Sequence, residues 1–384
     1  MRTVYMDNSA TTPVDERVLE VMQPYFNEQF GNASSVHSFG RAARQALEES
    51  RASIAEQLGA DEKEIIITSG GTEGDNLALF GLANFHGGTK RHYITAGTEH
   101  HAVLEPLKWL ASQGYDVTVL PVDRHGVVDP EAVRDAIRED TLCVSIMGAN
   151  NETGTIADIE AIAAITKEAG VFLHSDIVQT IGKVPLDVRT IPFDLLSISG
   201  HKLYGPKGIG AMYVRQGVRL APHSHGSGHE RGLRPGTENI PGAVGLAKAV
   251  ELCVGNMESE TAHLRELRDY FWTRMQDTVS GIQLNGHPER RLPGHLNVTF
   301  EGVEGESMLL SLDLAGVAAS SGSACEAGSI EPSYVLTAMG LTPEQAQAAV
   351  RFTLGRFTTR EDIDYVISAL PGVLDRLRDM SAVG

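Results

Sequence analysis

The feature that most constrains this chain is a rhythm. Short apolar runs of strand character recur at 64–68, 91–95, 117–121, 142–148, 171–175, 193–198 and 209–214. Amphipathic helical patterns separate the earlier ones, for example Pro130 to Ile137 and Glu160 to Lys167. Strands that alternate with helices pair in parallel, because each crossover carries the chain back to the same edge, and the helices then cover the sheet. The expected fold is α/β, with a large domain on a mainly parallel seven-stranded sheet covered by helices. Ligands of such sheets bind outside the carboxyl ends of the strands.

The flanks follow other patterns. Gly40 to Leu58 predicts one long helix, and a helical stretch runs from Ala243 to about Met275. Beyond it, strand-like runs at 295–300, 317–320 and 349–354 lie among helical patterns at 305–314, 333–339, 343–348 and 360–377, which predicts a smaller α+β domain. A chain of 384 residues is long enough for both units. Its net charge of -18 argues against a nucleic-acid or anionic-membrane surface and favours basic partners. Met1 to Asp7 carries no apolar signal core and no window approaches a membrane span, so a cytoplasmic location is expected.

Three strand ends carry chemistry. The run Phe193-Asp194-Leu195-Leu196-Ser197-Ile198-Ser199-Gly200-His201-Lys202 puts an amine where a buried strand ends, before the turn Leu203 to Gly208. Such an amine, partly desolvated, suits a Schiff base with a carbonyl cofactor such as pyridoxal phosphate; an ordinary surface lysine is the alternative. Upstream, Val171-Phe172-Leu173-His174-Ser175-Asp176 ends on a carboxylate, with Gln179 one turn later. Asp176 can keep a pyridinium nitrogen protonated, or simply cap a helix. The strand Glu64 to Thr68 leads into Ser69-Gly70-Gly71-Thr72-Glu73-Gly74-Asp75-Asn76 and then an apolar helical pattern. Glycines, free N–H groups and the helix dipole there make a phosphate cradle, although no Walker lysine follows.

The three cysteines form no framework. Cys143 and Cys253 sit in apolar strand and helix patterns and read as small buried hydrophobes. Cys325 differs, standing in the glycine- and serine-rich run Ser320 to Ser329, where an accessible thiol is expected. Without a Cys-x-x-Cys pair, neither disulfides nor a cysteine-built zinc site is expected. His223, His225 and His229 have ligand-like spacing. Gly205-x-x-Gly208-x-Gly210 is a turn into the strand at 209–214, not a dinucleotide fingerprint.

The chain resembles the cysteine desulfurases of the NifS/IscS type, fold-type I pyridoxal-phosphate enzymes. The matching stretches include Tyr5-Met6-Asp7-Asn8-Ser9-Ala10-Thr11-Thr12-Pro13, Gly31-Asn32-Ala33-Ser34-Ser35-Val36-His37, Thr68 to Glu73, Thr98-Glu99-His100 and Asn150-Asn151-Glu152-Thr153-Gly154. They continue through Ser199-Gly200-His201-Lys202, His229 to Thr237, Ser321-Gly322-Ser323-Ala324-Cys325 and Arg351 to Thr359, so the likeness spans essentially the whole chain. It implies a large domain at 14–257 and a small one formed by 1–13 and 258–384. It also absorbs the histidine-rich segment as a loop before Thr237, so no metal is expected.

On that resemblance, Lys202 holds pyridoxal phosphate and Asp176 pairs with the ring nitrogen. Gln179 and Asn151 face the ring hydroxyl, while Gly71, Thr72, Ser199 and His201 take the phosphate. Thr237 adds a contact from a neighbouring subunit, which implies a homodimer. His100 stacks on the ring and shuttles protons at the substrate thiol. Arg351 takes the substrate carboxylate in preference to Arg356, with Asn151 and Asn32 near the substrate. The implied reaction converts L-cysteine to L-alanine: Lys202 moves the α-proton, and Cys325 receives the sulfur as a persulfide. The sulfur then passes to an acceptor or scaffold protein for iron–sulfur cluster assembly or thiolation. An aminotransferase would not need Cys325, selenocysteine lyase activity would be a side reaction of the same site, and an idle sulfur carrier would not need Lys202 and Asp176. The chain departs from many relatives in Glu326-Ala327-Gly328 after the cysteine, a carboxylate that should raise the thiol pKa, and in Gly70-Gly71, a harmless change for backbone phosphate contacts. Thr237 to Gly242 leans toward the NifS side.

Overall fold

The computed structural model describes residues 2–322 and 331–381. Its strands are β1 (Val4–Tyr5), β2 (Ile65–Thr68), β3 (His92–Ala96), β4 (Asp116–Leu120), β5 (Thr141–Ser145), β6 (Phe172–Asp176), β7 (Leu195–Ser199), β8 (Gly210–Val214), β9 (Ile282–Asn285), β10 (His295–Phe300), β11 (Val317–Ala318) and β12 (Ala349–Thr353). Seven of them form one sheet in the order β2-β8-β7-β6-β5-β3-β4. All neighbours are parallel except β8, which runs antiparallel to both β2 and β7. Strands β3, β5 and β7 are buried at every position, which is why their apolar residues do not alternate with exposed charged ones and their few polar residues are small or hydrogen-bonded.

Side chains alternate across this sheet and sort into two cores. Ile65, Ile67, Leu196 and Ile198 pack on one face under the helices Ser38–Leu58 and Ile240–Gly255. Ile66, Leu195, Met212 and Cys143 pack on the other, under the helices Gly71–His86 and His101–Ser112. A separate core joins Val4 and Met6 to Phe271, Val298, Phe352 and Leu370. It lies among the helices Met257–Thr278 and Arg360–Ser381 and the antiparallel sheet β12-β10-β9.

Some boundaries differ from the sequence reading. The run at 142–148 ends as a strand at Ser145, and the backbone then turns so that Met147 N–H meets Glu99 Oε1 at 2.7 Å. The single helix expected from Ala243 is two, parted at Asn256, whose side-chain amide caps Leu252 O at 2.8 Å. The expected strand at 317–320 ends at Ala318. Strands β1 and β9 carry no legible pattern because each is short; β9 is bracketed by Gly281 and Gly286, both at positive φ.

The opening segment ties these parts together. Strand β1 pairs in parallel with β11, Asn8 N–H reaches Thr353 O at 3.3 Å, and Thr12 N–H reaches His201 O at 2.9 Å. Residues 8–12 therefore cross the carboxyl edge of the large sheet, and that edge holds the site.

Candidate active site

A cavity of about 390 Å³ opens at that edge. Gly71, Thr72, His100, Asn151, Asp176, Gln179, Ser199, His201, Lys202 and Arg351 all line it, so the structure gathers ten of the singled-out positions from six separate stretches of chain. A cleft of about 440 Å³ continues past Gly71, Thr72, Ser199 and His201 toward Thr11, Ser69 and Lys207.

The cleft end suits an anion. The helix Gly71–His86 begins here, and its N-cap Gly70 offers no side chain to the first-turn N–H groups, which leaves them for a ligand. A methyl group on Gly71 would stand 2.7 Å from Val178 Cγ2, and one on Gly74 would stand 2.9 Å from Ser197 Oγ. Glycine at both positions lets the helix start deep and lie flat on β7. His201 Nδ1 lies 3.2 Å from Thr11 Oγ1. Burial, with Lys202 and Lys207 adding, pulls the His201 pKa down to about 4, so its ring is neutral at pH 7.

The deep wall is acidic. Asp176 ends β6 and accepts from Val178 N–H at 2.8 Å. Burial pushes its pKa up to about 7; Asp75 adds to the rise, while His100 and Lys202 oppose it. Asp75 is 1% exposed, and its Oδ1 has no hydrogen-bond partner among the described residues. His174 Nε2 comes within 3.3 Å of that oxygen but is aligned with Ser197 Oγ at 3.2 Å. Two buried carboxyls facing one cavity raise each other's cost of ionising, and a positively charged ligand group would offset it.

His100 closes one side. It is the N-cap of the helix His101–Ser112, and its Nδ1 accepts from Ala102 N–H at 3.1 Å. In the neutral ring the proton therefore sits on Nε2. The preceding Glu99 is fully buried with its pKa raised by burial, and Tyr334 donates to its carbonyl at 2.7 Å.

The remaining wall carries the cations. Lys202, in the turn after β7, donates to Ser9 O at 2.6 Å and Ala10 O at 2.7 Å. Arg351, on β12, donates from Nη2 to Asp7 Oδ1 at 2.8 Å and from Nη1 to Asn151 O at 3.1 Å, while its buried Nε has no hydrogen-bond partner among the described residues. Arg356 points elsewhere: it bonds Asp15 Oδ2 and approaches Glu260 Oε1, each at 2.7 Å, and stacks on Tyr204. Gln179 Nε2 donates to Ser9 O at 3.0 Å, and Gln179 Oε1 accepts from Lys183 Nζ at 3.0 Å. Burial draws the Lys183 pKa down to about 8.

Three expected residues are not gathered. Asn32 is exposed, and its Oδ1 accepts from Ser34 N–H at 2.8 Å, outside the cavity of its own chain. Thr237 is likewise exposed and outside it. Cys325 lies outside the described residues; the last described residue before it, Gly322, lines the cavity. Of the other cysteines, Cys143 is fully buried and Cys253 has its pKa pushed up to about 11 by burial, which makes both poor nucleophiles. In the histidine-rich loop, His223 stacks on Phe80 at 4.5 Å and His229 meets Ser34 and Ser227. Among the described residues no three metal-ligating side chains cluster.

Sequence reasoning passed over Asp7, Ser9, Asp75 and Lys183. Asp75 had a signal, a carboxylate in an otherwise apolar helix face one turn after the glycines. Ser9 acts through its carbonyl, which no side-chain pattern announces.

The cavity fits pyridoxal phosphate on its own evidence. An amine stands at a strand end, an uncapped helix start faces an anion-sized cleft, and a buried carboxylate waits for a ring N–H. The buried Asn151 Oδ1 also lacks a hydrogen-bond partner among the described residues.

Comparison with known proteins agrees. The pattern of the family described as Aminotransferase class-V matches residues 4–366. The chain is 48% identical over 380 residues to the cysteine desulfurase IscS of Dictyoglomus turgidum, covering 99% of this chain and 96% of that one. It is 49% identical over 380 residues to the cysteine desulfurase IscS of Methanosarcina thermophila, covering 99% and 94%. A solved structure titled as a NifS-like protein superposes with a TM-score of 0.93 at 39% identity, covering 98% of this chain and 100% of that one.

Proposed function

The chain belongs to the aminotransferase class-V family, and from that membership we propose that it is a pyridoxal-phosphate-dependent cysteine desulfurase, converting L-cysteine to L-alanine. The observation that carries the reading is the pairing, in one cavity, of the Lys202 amine with the carboxyl of Asp176, whose pKa burial raises to about 7.

Lys202 would hold the cofactor, and Asp176 would keep its ring nitrogen protonated. When bound, the cofactor supplies an electron sink for charge developing next to the substrate's α-carbon. The first-turn N–H groups of Gly71 and Thr72, with Ser199 and neutral His201, hold the phosphate. Arg351 takes the substrate carboxylate as a two-pronged donor, exchanging Asp7 for it, and Asn151 lines the same end. The Lys202 amine would take the substrate's α-proton. His100, whose Nδ1 is held by Ala102 N–H, works with Nε2 at the substrate sulfur. The thiolate of Cys325 attacks that sulfur, the carbon–sulfur electron pair stays with carbon, and a persulfide remains on the chain while alanine leaves.

A homodimer belongs to this reading, because Thr237 has to reach a second copy's cavity from its exposed loop. So do a cytoplasmic location and delivery of the sulfur to an acceptor or scaffold protein for iron–sulfur cluster assembly or thiolation. Among the described residues no helix is long and apolar enough to cross a membrane.

The test is spectroscopic and chemical together. The purified protein is expected to be yellow and to release sulfide and alanine from L-cysteine with a reductant, while C325A stays yellow and inactive. A colourless protein would remove the cofactor; an active C325A would remove the persulfide role alone.

A further inference from the structure

We propose that Lys183 is a positioning residue that turns the Gln179 corner of the cavity into a fixed hydrogen-bond donor for the cofactor's ring oxygen. The inference rests on the reading that pyridoxal phosphate binds at Lys202.

A glutamine amide has an acceptor end and a donor end, and in isolation it can present either one. Here both ends are assigned by partners with no choice of role. An ammonium can only donate, and Lys183 Nζ sits 3.0 Å from Gln179 Oε1. A backbone carbonyl can only accept, and Ser9 O sits 3.0 Å from Gln179 Nε2. The amide nitrogen carries two hydrogens. Ser9 takes one, and the cavity, which Gln179 lines, meets the other. Were the amide reversed, its oxygen would face Ser9 O and its nitrogen would face the ammonium, two repulsions at once.

The backbone is shaped to bring Lys183 to this place. The chain turns tightly after β6, and Gly182 takes φ of 71°, a left-handed conformation that favours glycine. A methyl group there would stand 2.6 Å from Cys253 Cβ. Lys183 and Lys202 both line a small cavity of about 30 Å³ behind the site, along with His295 and Glu260. Ser9 O links the two lysines, because it accepts from Lys202 Nζ at 2.6 Å as well as from Gln179. A cation behind the amide also favours a ligand oxygen that carries negative charge.

The test titrates cofactor-free protein with pyridoxal phosphate, following the visible absorbance, in wild type, K183M, Q179A and the double variant. The expected result is a Kd about tenfold higher in K183M, the size of one hydrogen bond to a charged group, and a bound spectrum shifted toward the form with a protonated ring hydroxyl. In the Q179A background the same K183M change should be silent. KM for cysteine should hold while kcat falls. A Kd and spectrum unchanged in K183M, or a loss equally large without Gln179, would overturn the proposal. If K183M does not accumulate folded, K183Q takes its place with a smaller rise, about threefold, and the same dependence on Gln179. A wild type that binds no pyridoxal phosphate would instead sink the reading underneath.

Discussion

The cavity has two walls of opposite character. The sheet wall offers Asp176 and Asp75, buried carboxyls of which Asp176 keeps a raised pKa despite His100 and Lys202. The wall made by β12 and the opening segment offers Arg351 with Asp7 already 2.8 Å away. One wall waits for a charge, and the other holds a carboxylate where a substrate carboxylate would go. Arg351 and Arg356 sharpen the contrast. They stand five positions apart in the sequence, yet Arg356 is locked to Asp15 and Glu260 and stacked on Tyr204, 4.3 Å from the ring centroid. What separates an arginine that binds ligand from one that holds a fold is not its own chemistry but whether its partner can be exchanged.

That contrast can be attacked in order of expected effect. Replacing Lys202 with alanine should cost at least about 10³-fold in turnover and remove the yellow colour, with the thermal transition retained. Arginine by arginine, R351A should lower kcat/KM for L-cysteine roughly 10- to 100-fold, mostly through KM. R356A should instead cost up to about 3 kcal/mol of stability, because Arg17 still serves Asp15, and should leave KM nearly alone. Urea melts beside steady-state kinetics would separate the two, and exchanged phenotypes would break the distinction.

The sheet wall has a pH signature. A carboxyl whose folded pKa is raised binds protons more tightly when folded, so its contribution to stability is present at low pH and is lost as pH climbs toward the folded value. For Asp176 that window runs from its ordinary value, near 4, to about 7. Cofactor-free wild type should therefore lose a few degrees of Tm relative to D176N across that range, and bound cofactor should cancel the loss by meeting the carboxylate. Parallel Tm profiles for the two proteins would show that Asp176 is not held short of charge. The smallest effect is expected for N32A, within about twofold in kcat/KM, since its side chain serves Ser34. A larger loss would mean that a second copy brings Asn32 into the cavity.

Much of this was legible beforehand for a physical reason. Buried parallel strands are mainly apolar and ligands meet such sheets at their carboxyl ends, so Asp176, Ser199 and Lys202 could be read from where the apolar runs stop. Asp7, Ser9 and Lys183 could not. Asp7 and Ser9 act across gaps of more than 190 residues, on Arg351 and on Lys202. Lys183 acts through an amide four positions away in a turn without periodicity. Strand β1, two residues long, is defined by its partner rather than by its own composition.

The opening segment has a consequence in time. Ser9 N–H bonds Thr353 Oγ1 across 344 residues of chain, and β1 finds its partner only in β11. At ordinary elongation rates of roughly 5–20 residues per second, Ser9 must wait about 17–70 s for Thr353 to be made. The large sheet can form while the ribosome is still working, but the wall that carries Arg351 cannot. Each new molecule thus carries Asp176 and Lys202 at its sheet edge before that wall exists, and the site is closed when the segment around Ser9 meets a strand made 344 residues later.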